Sequence, residues 1–127
     1  MHQSPLGQHW LVEFYGCEAA HLSDVAAVEK ALCAAAMEAG ASIVEQRFHQ
    51  FAPWGVSGMV IIQESHLSIH TWPEHGFAAF DLFTCGTSID ADKAVDYLSV
   101  AFGASRVVKR LLERGEPQLL EAYSSKI

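Results

Sequence analysis

Between residues 55 and 86 the chain reads GVSGMVIIQESHLSIHTWPEHGFAAFDLFTCG. Serines, three histidines, two glutamates, an aspartate and a cysteine stand there among Val, Ile, Leu and Phe. A polar side chain on a half-buried strand needs a partner or a purpose, because its lost hydration is otherwise uncompensated. Hydroxyls and thiols are the common protein nucleophiles, and imidazoles and carboxylates the common bases and acids. Two imidazoles and a carboxylate can also bind zinc or iron, and His66 and His70 would share one face of a strand, with Glu74 and His75 just beyond. GVSG is not the GxSxG elbow of serine hydrolases, because its second glycine comes one position too early. No phosphate-cradling loop is present. Each residue also has a plain reading. Ser65 can be a strand-edge serine, Ser57 a turn residue between two glycines, His70 a hydrogen-bonded core histidine and Glu74 a solvated turn residue. Phe51 can be core, and a free cysteine such as Cys85 is usually a small buried hydrophobe.

The elements that must position this segment can be read from residue pattern. GMVIIQ (58–63), HLSIHTW (66–72) and FAAFDLFTC (77–85) are three candidate strands, the last two separated by the turn at residues 73–76. Residues 9–15 and 41–51 are rich in strand formers, and Pro53 ends the second of these or sets it at an edge. Residues 24–39 carry apolar side chains at helical spacing, with Ser23 or Asp24 as cap and Gly40 as stop. Residues 90–102 repeat that pattern and close at Gly103. Residues 106–112 read as a last strand, and the chain after Gly115 is expected to be loose. A run of strands with a helix on either side predicts an α+β domain. It is a two-layer sandwich, an antiparallel sheet with its two main helices on one face.

The 127 residues suit a single domain spanning 1–127, and half of them are hydrophobic, enough for a core. The net charge of −7 with scattered Lys and Arg argues against nucleic acid; the one small basic cluster is Arg106, Lys109 and Arg110. Three cysteines at wide spacing predict neither a disulfide framework nor a structural zinc site, and a reducing compartment is the default. No apolar run approaches the ~18 residues of a membrane span, and the N-terminus lacks the marks of a signal peptide. A soluble cytoplasmic protein with no membrane partner is expected.

The segment GVSG…ESHLSIHTWPE…DLFTCG, with HWLVEFYGC and FHQFAPWGVSG before it, closely resembles the short prokaryotic S-adenosylmethionine decarboxylase proenzymes. The likeness covers nearly the whole chain and weakens after about residue 105. It implies self-cleavage between Glu64 and Ser65 into a β chain, 1–64, and an α chain, 65–127. The Ser65 hydroxyl would attack the preceding carbonyl, and elimination from the resulting ester would leave a pyruvoyl group on the new terminus. That group is the only cofactor implied, with no pyridoxal phosphate and no metal. It would form a Schiff base with the amine of a small-molecule substrate and act as electron sink. By the same resemblance, Ser57 and His70 assist processing, His70 as base for the Ser65 Cα proton. Cys85 returns a proton to the product. Glu74 binds the ribose hydroxyls, and Phe51 stacks on adenine. The resemblance further implies a homodimer of cleaved protomers (α2β2), whose sheets associate and whose active sites draw on both copies.

Two positions depart from the family pattern: His75 where an aromatic, usually Tyr, is expected, and Trp54 where Tyr is common. The processing set can then be intact while the substrate differs. Two alternatives therefore stand beside an adenosylmethionine decarboxylase serving spermidine synthesis. One is a pyruvoyl decarboxylase of ornithine or arginine, and the other a non-catalytic homolog that stays uncleaved.

Overall fold

Buried and less buried residues alternate along the central strands, and that period of two builds one sheet. A computed structural model describes residues 4–125. Six strands form the sheet: β1 (Gly7–Tyr15), β2 (Ile43–Gln50), β3 (Val56–Ile62), β4 (Ser65–Trp72), β5 (Phe77–Cys85) and β6 (Arg106–Arg114). Their order is β2-β3-β4-β5-β1-β6, and every neighbouring pair is antiparallel. The helices are α1 (Ala19–Leu22), α2 (Val25–Glu38), α3 (Ala91–Phe102) and α4 (Pro117–Tyr123). The α+β sandwich read from the sequence is the observed architecture.

β5 shows why the sheet has one covered and one open face. Ala78, Phe80, Leu82 and Thr84 are buried, while the alternating Ala79, Asp81 and Phe83 are only half-buried. The covered face meets α2 through Val28, Leu32, Ala35 and Ala36, and α3 through Ala94, Val95, Leu98 and Phe102. Phe14 and Phe102 meet edge to face, 5.7 Å apart, in the middle of this layer. Asp24 caps α2 by accepting from the Ala26 amide, and Asp90 caps α3 by accepting from Lys93. Such a cap contributes about 1 kcal/mol. Of the two candidates for the first cap, Asp24 is the one used.

The structure differs from the sequence reading at its ends. β3 begins two residues earlier than expected, β6 runs two residues further, and the segment after Gly115 forms α4. Pro117 at the start of α4 preforms its first turn. Its 7 residues make only about two turns, so periodicity left little signal there. Among the described residues, no helix is long and apolar enough to cross a membrane.

Candidate active site

Two groups of reactive residues stand at opposite ends of β4. At one end, the β3–β4 register sets Ser57 directly opposite His70, and Ser57 Oγ lies 2.8 Å from His70 Nδ1. The turn between β2 and β3 builds a cleft of about 400 Å³ beside them, lined by Phe51, Trp54, Trp72 and Glu74 among others. The turn is closed by the Phe51 amide donating to the Gly55 carbonyl at 2.9 Å, and Gly55 adopts a φ of 112° that side chains rarely take. Thr71 anchors this end from below. Its buried hydroxyl donates to the Leu22 carbonyl and accepts from the Val56 amide, both at 2.8 Å. Phe51, Trp54 and Trp72 are each more than two-fifths exposed, large aromatic surfaces left facing the cleft.

At the other end, Gln63 and Glu64 form the two-residue loop between β3 and β4. Such loops usually take Gly, Asn or Asp in left-handed conformations. This one has none of them. Ser65, the next residue, carries a φ of 149° instead, the one positive value at a non-glycine among the described residues. Backbone held in such a region costs on the order of 1–3 kcal/mol and marks functional sites. The Glu64 carbonyl between the two residues accepts from the Cys85 amide at 3.0 Å, and Cys85 itself is exposed. A donor aimed at that oxygen stabilises the negative charge that a nucleophile would place there.

These ends do not meet in one copy of the chain. Ser65 and His70 are five residues apart on β4, about 16 Å at the usual rise of a strand. The structure thus joins Ser57, His70, Glu74 and Phe51 at the cleft, and Glu64, Ser65 and Cys85 at the loop. Trp54 lines the cleft, whereas His75 does not.

The metal grouping suggested by His66, His70, His75 and Glu74 does not form. His66 and His70 share the open face, yet four residues separate them by about 13 Å. His66 instead joins His9 and Asp81. Asp81 accepts hydrogen bonds from Ser68, His9 and His66. Burial raises the pKa of its carboxyl, but these bonds, those from Ser68 and His9 first, outweigh it and hold the group below its ordinary range. Sequence reasoning assigned no role to His9, Ser68, Asp81 or Arg114. The available signal was a carboxylate inside the apolar run FAAFDLF. Cys17 is buried and its thiol is pushed up to about 11, as befits packing.

The chain is similar to known proteins over most of its length. Residues 8–115 match the family model described as S-adenosylmethionine decarboxylase. The match runs past residue 105, where the likeness in motifs weakens, to residue 115. A protein of Acidithiobacillus ferrooxidans named S-adenosylmethionine decarboxylase proenzyme is 49% identical over 115 residues, which are 91% of this chain and 86% of that one. One of the same name from Thermotoga maritima is 52% identical over 110 residues, 87% of this chain and 85% of the relative. The crystal structure of the adenosylmethionine decarboxylase of Aquifex aeolicus superposes with a TM-score of 0.83 at 37% identity, covering 90% of this chain and 94% of that one. The Trypanosoma brucei AdoMetDC monomer shares the fold, with a TM-score of 0.62 at 17% identity over 82% of this chain and 45% of that one. With a family model matched over residues 8–115 and relatives near half identity across most of both chains, the protein belongs to the S-adenosylmethionine decarboxylase family.

Proposed function

We propose that the chain is a self-processing, pyruvoyl-dependent S-adenosylmethionine decarboxylase cut between Glu64 and Ser65 into chains 1–64 and 65–127. The observation that carries this reading is the Glu64–Ser65 peptide itself. Its serine holds a strained φ of 149°, and its carbonyl already accepts from the Cys85 amide. Attack of Ser65 Oγ on the Glu64 carbonyl carbon breaks the C–N bond and converts the amide to an ester. The freed nitrogen takes up the hydroxyl proton and becomes the amine of Ser65. A base then removes the Ser65 Cα proton, and the Glu64 carboxylate leaves. The dehydroalanine left behind takes up water and releases ammonia, giving a pyruvoyl terminus. No added reagent but water is consumed.

His70 is the base for this elimination, with Ser57 at 2.8 Å orienting its ring. Within one copy it stands about 16 Å from Ser65, so it must come from a second copy. Midway between residues 65 and 70 lie Leu67 and Ser68. A two-fold axis crossing β4 there, with open face on open face, carries His70 of each copy over Ser65 of the other. The contact is isologous and yields two identical sites. The open face supplies apolar surface for it, since Leu11, Met59, Ile61 and Leu112 are all exposed.

Once formed, the keto group supplies an electron sink for loss of carbon dioxide from a bound amine. Around it, Cys85 holds the proton returned to the product carbon. Glu74 accepts from the ribose hydroxyls, and Phe51 offers its ring to adenine. The amino-acid alternative rests on His75 and Trp54. Of these only Trp54 lines the cleft, and the relatives bear adenosylmethionine names. The non-catalytic alternative leaves the Ser57–His70 pair without a task. A cytoplasmic setting fits the three free cysteines.

Intact mass spectrometry of the matured protein tests the reading. Two chains are expected, the second starting with a ketone, together with release of carbon dioxide from adenosylmethionine. A single full-length chain, or two chains that both start with an amine, would refute it. Ser65→Ala should remain whole and inactive.

A further inference from the structure

Asp81 lies midway along β5 on the open face, and donors from two other strands converge on its carboxylate. Ser68 donates to one oxygen, and His9 and His66 to the other, His66 at 3.2 Å. The proton of the His9 contact can be assigned from its other nitrogen. Arg114 Nη1 stands 3.0 Å from His9 Nδ1, and a guanidinium only donates. Nδ1 therefore accepts, and Nε2 carries the proton that Asp81 receives. This disfavours a divalent cation among His9, His66 and Asp81, because a metal on His9 Nε2 would turn a protonated Nδ1 toward Arg114. His66 is held a second way. Its ring stacks on Phe83, 5.9 Å away and only 11° from parallel. Phe83 in turn meets the His9 ring edge at 5.2 Å and the Arg114 guanidinium at 5.7 Å.

We propose that Asp81, acting through His66, is a positioning residue for the reacting end of the second chain. The inference rests on the cleavage proposed above and extends it. Cleavage removes the covalent anchor in front of residue 65, and new chain ends fray unless they are tied down. His66 is the residue next to that end. Its two side-chain anchors, Asp81 and Phe83, precede Cys85 by four and two residues on the same strand. The clamp thereby holds the residue-65 terminus in register with Cys85. In the uncleaved chain the Gln63–Glu64 loop serves that purpose, so the clamp matters after the cut. Misplacement of a reacting group by ~1 Å costs on the order of 100-fold in rate.

Asp81→Asn, His66→Ala and His66→Gln in the full-length chain, each left to mature, test the clamp. Intact mass reports cleavage, and carbon dioxide release from adenosylmethionine reports kcat and KM. All three variants are expected to cleave. Asp81→Asn and His66→Ala should lower kcat by about 10- to 100-fold with KM little changed. His66→Gln keeps a donor toward Asp81 and should recover most of that loss. Amide exchange at residues 66–68 should quicken in cleaved Asp81→Asn and stay slow when Ser65→Ala keeps the same variant tethered. A kcat near wild type in His66→Ala, no recovery in His66→Gln, or equal exchange with and without the tether overturns the clamp. The His66 pair decides the matter even if Asp81→Asn does not fold. A wild-type chain that stays whole overturns the cleavage reading and the clamp with it, whereas a cleaved wild type beside unimpaired variants overturns the clamp alone.

Discussion

Two complementary lesions test whether the site is shared between copies. Ser65→Ala removes the residue to be converted, and His70→Ala removes the base. Each variant alone is expected to stay whole, because every site in its homodimer lacks one of the two groups. When both chains are made together in equal amounts, random pairing gives roughly half mixed dimers. In a mixed dimer one site joins Ser65 of one chain to His70 of the other, and the second site has neither. About one chain in four should therefore cleave, and about a quarter of wild-type turnover should return. The separation sets the contrast. Ser65 and His70 of one chain are about 16 Å apart along β4, against the ~3 Å that proton transfer requires. The assay is intact mass of the co-expressed protein, with a mass tag on one chain. Cleavage must be confined to the chain carrying His70→Ala. No cleavage in the mixture, or efficient cleavage of His70→Ala by itself, would refute the shared site.

Three further outcomes follow from single contacts. Cys85→Ala should cleave normally, since the Cys85 backbone amide and not the thiol touches the Glu64 carbonyl, yet turnover should fall by about 100-fold or more; mass and activity on one sample separate the two effects. Gly58→Ala would bring a Cβ to 2.0 Å from the Phe48 ring, and overpacking of this kind should cost about 1–3 kcal/mol, seen as a lower Tm. An unchanged Tm would mean that Phe48 does not pack as described. Asp81 titrates below its ordinary range, so the stability it contributes is full above the unfolded value of ~3.9 and drains as pH falls through the lower folded value. The stability gap between wild type and Asp81→Asn should thus be wide at neutral pH and narrow on acidification, as urea unfolding across pH would report.

Short-range pattern determined much of this protein. The bounds of β5, a first helix cap at Ser23 or Asp24, the stop at Gly103 and the two-layer arrangement were legible in residue type and spacing. So was the dense segment 55–86, whose polar residues interrupt apolar strands. Helix α4 was not, because its 7 residues make only about two turns, too few for an apolar repeat to show. Tertiary structure decided the rest. Register between strands set Ser57 against His70, and antiparallel pairing of β4 with β5 brought the Cys85 amide to the Glu64 carbonyl. Sheet order β5-β1-β6 brought His9 to Asp81, 72 residues away, and Arg114 to His9, 105 residues away. Periodicity reports which face of its own element a residue occupies. Which distant strand lies alongside is set by how all the elements bury their apolar faces together, and that is a property of the whole fold.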